Sequence, residues 1–198
     1  MNHIVFQSKC QGYSHIKSDL ECQDSTLVKK TEKYAIAVVA DGHGSASYFR
    51  SSRGSLFATE AAITAIEELL ETILSDKSNM DDFCASIDKH LIQLERSVIA
   101  RWHERVEDDY SKNPFLDSEI LKVDEKHKEK YLKGERIEAA YGSTLIAVAC
   151  TDAFWFGIHI GDGKCITCDY SGNFAEPIPW DEKCFLNVTT SISDSNAI

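Results

Sequence analysis

Positive charge is scarce in this sequence. Lys and Arg number 21 against 32 Asp and Glu, a formal charge of −11 over 198 residues. Such a deficit excludes a nucleic-acid binder, which must neutralise phosphates with Lys and Arg. It equally excludes a peripheral binder of anionic membrane. No apolar run approaches the roughly 20 residues of a membrane span. The first residues, Met1 to Ser8, contain neither a basic region nor a long apolar core, so no targeting signal is read there. Proline occurs only three times, and there is no internal repeat or low-complexity tract. Cysteine is not lacking, but its seven copies are odd in number and scattered. They read as reduced thiols of a cytoplasmic protein. Cys165 and Cys168 have CxxC spacing, yet they fall in an extended run where positions three apart face opposite sides. No second pair completes a zinc set.

What is present is a single domain's worth of chain. A domain of this size buries roughly 70% of its unfolded surface and needs no cross-link to fold. Residues 3–7 and 25–29 read as extended. Tyr34 to Ala40 is almost wholly apolar and ends at Asp41-Gly42, the pattern of a strand buried on both faces. From about Ser55 to Leu74, the stripe Leu56, Ile63, Ile66, Leu70 and Ile73 predicts a helix, with a Ser-rich lead-in offering N-caps. A second helix is predicted from Asp81 to Val106, on the stripe Phe83, Ile87, Leu91, Leu94, Val98 and Trp102. About half of residues 104–138 are charged, and Asn113-Pro114 breaks the run. The apolar residues Phe115, Ile120, Val123 and Tyr131 look too few for a core. The segment from about 107 to 138 is therefore expected to be a solvated helical insertion, removable at little cost in stability. From Tyr141 the pattern turns to β, with strands at 144–150, 154–160 and 164–169. The order predicts an α+β domain in which helices cover antiparallel sheet.

Three aspartates stand at the ends of these strands. Asp24 precedes the strand at 25–29, Asp41 ends the strand at 34–40, and Asp162 follows the strand at 154–160. A carboxylate at a buried strand's end is fixed in place and still open to solvent. Several such ends meeting in space form an all-oxygen site for Mg²⁺ or Mn²⁺. Gly42 lets the chain turn and can expose its carbonyl as a further ligand. Each signal alone is also an ordinary turn. The plainer reading of His43 is a surface turn histidine, and His15 reads equally as a phosphate contact or a solvent-facing side chain.

The set as a whole is more specific. Asp41-Gly42-His43-Gly44 follows a buried strand. Gly12-Tyr13-Ser14-His15 and Cys22-Gln23-Asp24 precede it, and Gly142-Ser143-Thr144 and Ile160-Gly161-Asp162-Gly163-Lys164 come later. In this order the segments resemble the type 2C metal-dependent Ser/Thr protein phosphatases, in particular a bacterial subgroup. The resemblance implies an antiparallel β-sandwich flanked by α-helices, in four α-β-β-α layers. It implies two Mg²⁺ or Mn²⁺ ions, with Asp41 bridging them, the Gly42 carbonyl and Asp24 as further ligands, and Asp162 at a third, weaker position. It makes His43 the general acid and phosphoserine or phosphothreonine proteins the substrates, hydrolysed by a water between two ions. The family's phosphate-gripping arginine has no counterpart, so His15 or Lys17 would take that place. The family's two later aspartates are not matched either, since Asp194 is followed by Ser195 and not by Gly. The chain resembles the first three-quarters of such a domain, residues 1–198 forming one unit. A pseudophosphatase, keeping the fold as a binding or regulatory module, is the alternative. An incomplete sheet implies weak metal binding, little activity and self-association.

Overall fold

A computed structural model describes residues 3–186 and 188–197 of the chain. Four strands form one antiparallel sheet in sequence order: β1 (Asp24–Lys30), β2 (Tyr34–Asp41), β3 (Leu145–Thr151) and β4 (Trp155–Ile160). Threonine hydroxyls close both outer hairpins. Thr31 Oγ1 accepts from the Lys33 and Tyr34 amides, and Thr151 Oγ1 from those of Ala153 and Phe154. The predicted α+β class is the observed one.

One face of the sheet carries Tyr34, Ile36, Val38 and Ala40 of β2 beside Ala147 and Ala149 of β3, all buried. Two long helices cover it: α2 (Ser51–Ile73), reached after a short α1 (Tyr13–Lys17), and α4 (Ile87–Lys112). Small residues bring α2 close, because Ala58, Ala61, Ala62 and Ala65 all face inward. At Gly54 the approach is closer still. A Cβ there would lie 1.7 Å from the Tyr141 carbonyl oxygen, and the buried Trp102 indole donates to the Gly54 carbonyl at 3.0 Å.

The helices differ from their predicted forms in several ways. The second does not run unbroken from Asp81. It divides into α3 (Lys77–Ala85) and α4, at Ser86 with φ −142° and ψ 44°. Ile87 therefore leaves the core stripe and is 43% exposed, as is Leu56 in α2. No serine side chain caps α2, whose N-cap is Arg50. The serines instead tie the helix to the lead-in of β1. Ser51 Oγ accepts from Gln23 Nε2 at 2.8 Å, and Ser55 Oγ donates to the Gln23 carbonyl. Residues 3–7 form no strand, and only Thr167–Cys168 of the predicted strand at 164–169 is extended in a sheet, pairing as β5 with β6 (Phe174–Ala175).

The largest correction concerns the charged segment. After α4 the chain forms α5 (Asp117–Ile120), α6 (Glu125–Leu132) and a 3₁₀ turn, Glu138–Tyr141. Ile120, Val123 and Tyr131 join the central core, so this is no solvated appendage. Arg50, 5% exposed, is the reason. Its guanidinium donates to Glu119 through both Nε and Nη2 at 2.9 Å, to the carbonyls of Asn113 and Pro114, and to the Tyr141 hydroxyl. It also lies 4.7 Å above the Phe115 ring. A few apolar anchors around one buried cation hold a segment that composition alone marks as solvated.

The other face of the sheet is only partly covered. Ile178 packs where a Gly157 Cβ would sit, and Ile146 packs against Gly163, so the chain beyond β4 shelters β3 and β4. Val39 and Trp155 are each 47% exposed on this side, so β2 is not buried on both faces as its composition suggests. Of the implied four layers, the described residues supply the helical layer, one full sheet and the β5–β6 hairpin. No helix is long and apolar enough to cross a membrane among the described residues.

Candidate active site

The antiparallel register puts Asp24 directly opposite Asp41. Side chains of such a pair stand about 5 Å apart on one face. Partial desolvation and the neighbouring Asp24 charge together push the Asp41 carboxyl up to about 6 from its ordinary 3.8; a hydrogen bond with Asp24 and the Asp162 charge add to this, and the His15 charge pulls against it. Three sequence-predicted residues, Asp24, Asp162 and His15, thus act on a fourth, Asp41. Lys17 is not drawn to this group. Its ammonium lies 5.0 Å over the Tyr13 ring of its own helix. Lys9 reaches the site instead, donating to the Asp24 carbonyl at 3.2 Å.

The Gly-Ser-Thr turn holds Asp41 in place. The Asp41 carbonyl accepts from the Thr144 amide at 2.8 Å and the Ser143 hydroxyl at 3.0 Å, while the Asp41 amide donates to Thr144 Oγ1 at 3.0 Å. Gly42 pairs with Ser143 and donates to the Gln23 carbonyl. A Cβ on Gly42 would lie 2.6 Å from the Ser51 carbonyl oxygen and 2.7 Å from that of Gln23, so only glycine fits. Asp162 enters after Gly161, whose φ of +110° no ordinary side chain tolerates and whose Cβ would strike Thr144.

His43 sits beside the acids. Its amide donates to the Gly142 carbonyl at 3.1 Å, and its ring lies 4.7 Å from that of Tyr48. Burial holds the imidazole below its ordinary 6.5, opposed by the charges of Asp194 and Asp162. Nε2 is buried without a hydrogen-bond partner. Asp41, His43, Tyr48, Thr144, Asp162 and Thr189 line an open cleft of about 360 Å³. A second, more apolar cavity of about 220 Å³ lies between α4 and β4 beside Glu95 and His159. It has no converging carboxylates, so the chemistry belongs to the acidic cleft.

Tyr48, Lys9 and Thr189 carry no sequence signal, because contacts and not motif spacing bring them in. Asp194, set aside in the sequence reading, caps the Ser191 amide at 2.9 Å and acts on His43 through its charge. Its role here is to hold the segment that docks on Ser143 through the Ile192 amide.

The donor set suits a hard divalent cation in kind: adjacent carboxylates whose mutual repulsion a cation would relieve, beside a backbone carbonyl at a glycine that admits no side chain. It does not suit one fully in number. Among the described residues, no three His, Cys, Asp or Glu side chains stand close enough to hold one ion. Asp24 and Asp41 form a pair, and Asp162 acts on it only through its charge.

Fold and site together define an α+β domain with an acidic cleft where β1 begins and β2 and β4 end. The protein phosphatase 2C family model matches residues 11–198, and the chain belongs to that family. No curated protein matches it.

Proposed function

We propose that residues 1–198 act as one phosphatase domain, hydrolysing phosphoserine and phosphothreonine in proteins with Mg²⁺ or Mn²⁺. The observation that carries the reading is the Asp24–Asp41 pair, held at adjoining strand ends with His43 beside it, in a chain of this family. Asp24, Asp41 and the Gly42 carbonyl would hold the cation, with Asp162 at a weaker outer position. A divalent cation there supplies Lewis-acid charge and acidifies water. His43 delivers a proton to the departing serine or threonine oxygen, a poor leaving group. Burial favours its neutral form, so the anionic phosphate must supply the opposing pull that keeps it protonated. His15 is the group available to face the phosphate; Lys17 would have to swing away from Tyr13. Seven free cysteines fit a reducing cytoplasm.

The test is Mn²⁺-dependent phosphate release from phosphoserine and phosphothreonine peptides, with Asp41→Ala beside the unaltered chain. Release that depends on Mn²⁺ and vanishes in the variant supports the proposal. Unchanged turnover in Asp41→Ala sinks the metal assignment. A second reading, a pseudophosphatase that binds phosphoproteins without hydrolysing them, is favoured by the lack of any three-ligand group among the described residues. Phosphopeptide binding with no release at saturating Mn²⁺ would decide for it.

A further inference from the structure

Residues 122–136 reverse the balance of the chain. Here Lys and Arg outnumber Asp and Glu six to four, in a protein of formal charge −11. Two of the six are neutralised along α6 and its C-cap, Lys128 by Glu125 and Lys133 by Glu129, each at 2.6 Å. The others include Arg136, Lys126 and Lys130, which gather about His127. Arg136 Nη1 donates to His127 Nδ1 at 2.9 Å, so Nδ1 is the acceptor and Nε2 is left as a donor. Desolvation first, and then the fields of Arg136, Lys126 and Lys130, disfavour protonation of His127, with Asp124 opposing. Lys126 and Lys130 are exposed.

The cluster is joined to the acidic cleft by a short series of contacts. The Arg136 guanidinium lies 5.6 Å over the Tyr131 ring. The Tyr131 hydroxyl donates to the Ser47 carbonyl at 2.7 Å. Ser47 precedes Tyr48, whose ring packs at a tilt against His43 and lines the cleft. An extended peptide advances about 3.4 Å per residue, so positions three to five from a phosphoresidue lie roughly 10–17 Å away.

We propose that Arg136, Lys126, Lys130 and His127 Nε2 form a docking site for acidic side chains that flank the phosphorylated residue of the substrate. The inference rests on the phosphatase reading for the identity of the ligand, not for the existence of the site. Charge complementarity selects the occupant. The chain as a whole is acidic, so a cationic patch joined to the cleft by these contacts sets both register and preference. Arg136 offers a fork of donors steadied by Tyr131, and the two lysines offer point charges.

The experiment measures binding by fluorescence anisotropy, in chelator so that no hydrolysis intervenes. Phosphoserine peptides carry Glu or Gln at three to five residues from the phosphate, on either side. The acidic peptide is expected to bind about tenfold more tightly than its Gln counterpart, with the advantage shrinking as salt rises. Lys126→Glu with Lys130→Glu changes exposed residues only, so folding is spared. It should erase the preference and leave the Gln peptide unaffected. Arg136→Gln should weaken it in part. Equal binding of both peptides by the unaltered chain overturns the proposal, as does a preference that survives the double reversal. Tighter binding of a single-stranded oligonucleotide than of the acidic peptide overturns it too. Turnover of p-nitrophenyl phosphate, measured separately with Mn²⁺, reports on the phosphatase reading alone.

Discussion

Asp41 stores a cost that only a cation or a proton removes. Its carboxyl holds a proton up to about pH 6 in the folded chain, against an ordinary 3.8. The folded state therefore binds more protons than the unfolded one between those values, and stability falls as pH rises through that window. In metal-free protein, Asp41→Asn should melt several degrees higher than the parent above pH 6 and at the same temperature near pH 4. Saturating Mn²⁺ should reverse the order, since the parent alone gains a ligand. A variant that is no more stable at any pH would show that the Asp24–Asp41 repulsion is absent. His43 makes a different prediction at the same scale. His43→Ala should slow release from a phosphoserine peptide far more than from p-nitrophenyl phosphate, whose leaving group needs little protonation. Equal losses on the two substrates would assign His43 to binding or structure.

Among the elements, the segment after α4 was the least legible in the sequence. β2, β3 and β4 were readable because an apolar run ending at Asp-Gly or bounded by turns has few alternatives. The strand ends, and with them Asp24, Asp41 and Asp162, followed from those runs. The break at Ser86 was invisible because Phe83 and Leu94 keep helical spacing across it. The docking of residues 113–138 was hidden for another reason. It depends on Arg50, placed more than 60 positions earlier, and no local pattern predicts a buried cation. Arg50→Ala should cost about 3–5 kcal/mol, since it leaves Glu119 and two backbone carbonyls without their partner. Because the Tyr141 hydroxyl also loses the Arg50 guanidinium, and Tyr141 adjoins Gly142, whose carbonyl holds the His43 amide, the loss should reach the His43 loop. Deleting residues 113–136 should likewise abolish cooperative unfolding, contrary to the expectation drawn from composition. Calorimetry decides both; a sharp transition near the parental temperature would return the segment to the status of an appendage.

For the molecule as a whole, one surface is unlike the rest. Helices cover the inner face of the sheet, and the chain beyond β4 shelters only part of the outer face, where Val39 and Trp155 stand 47% exposed. We propose that two copies meet on this face. The β1 edge is a poorer candidate, because β1 ends in Lys29 and Lys30, and charged edges resist strand addition. The opposing term is charge, since two copies of formal charge −11 repel each other. Salt screens that repulsion and leaves apolar burial intact. Dimerisation in sedimentation velocity should therefore strengthen with added salt, the opposite of the peptide docking proposed at His127. Val39→Lys should shift the population to monomer without changing the melting temperature of the monomer. A chain that stays monomeric at every concentration and salt level, or a dimer indifferent to Val39→Lys, would remove this face from consideration.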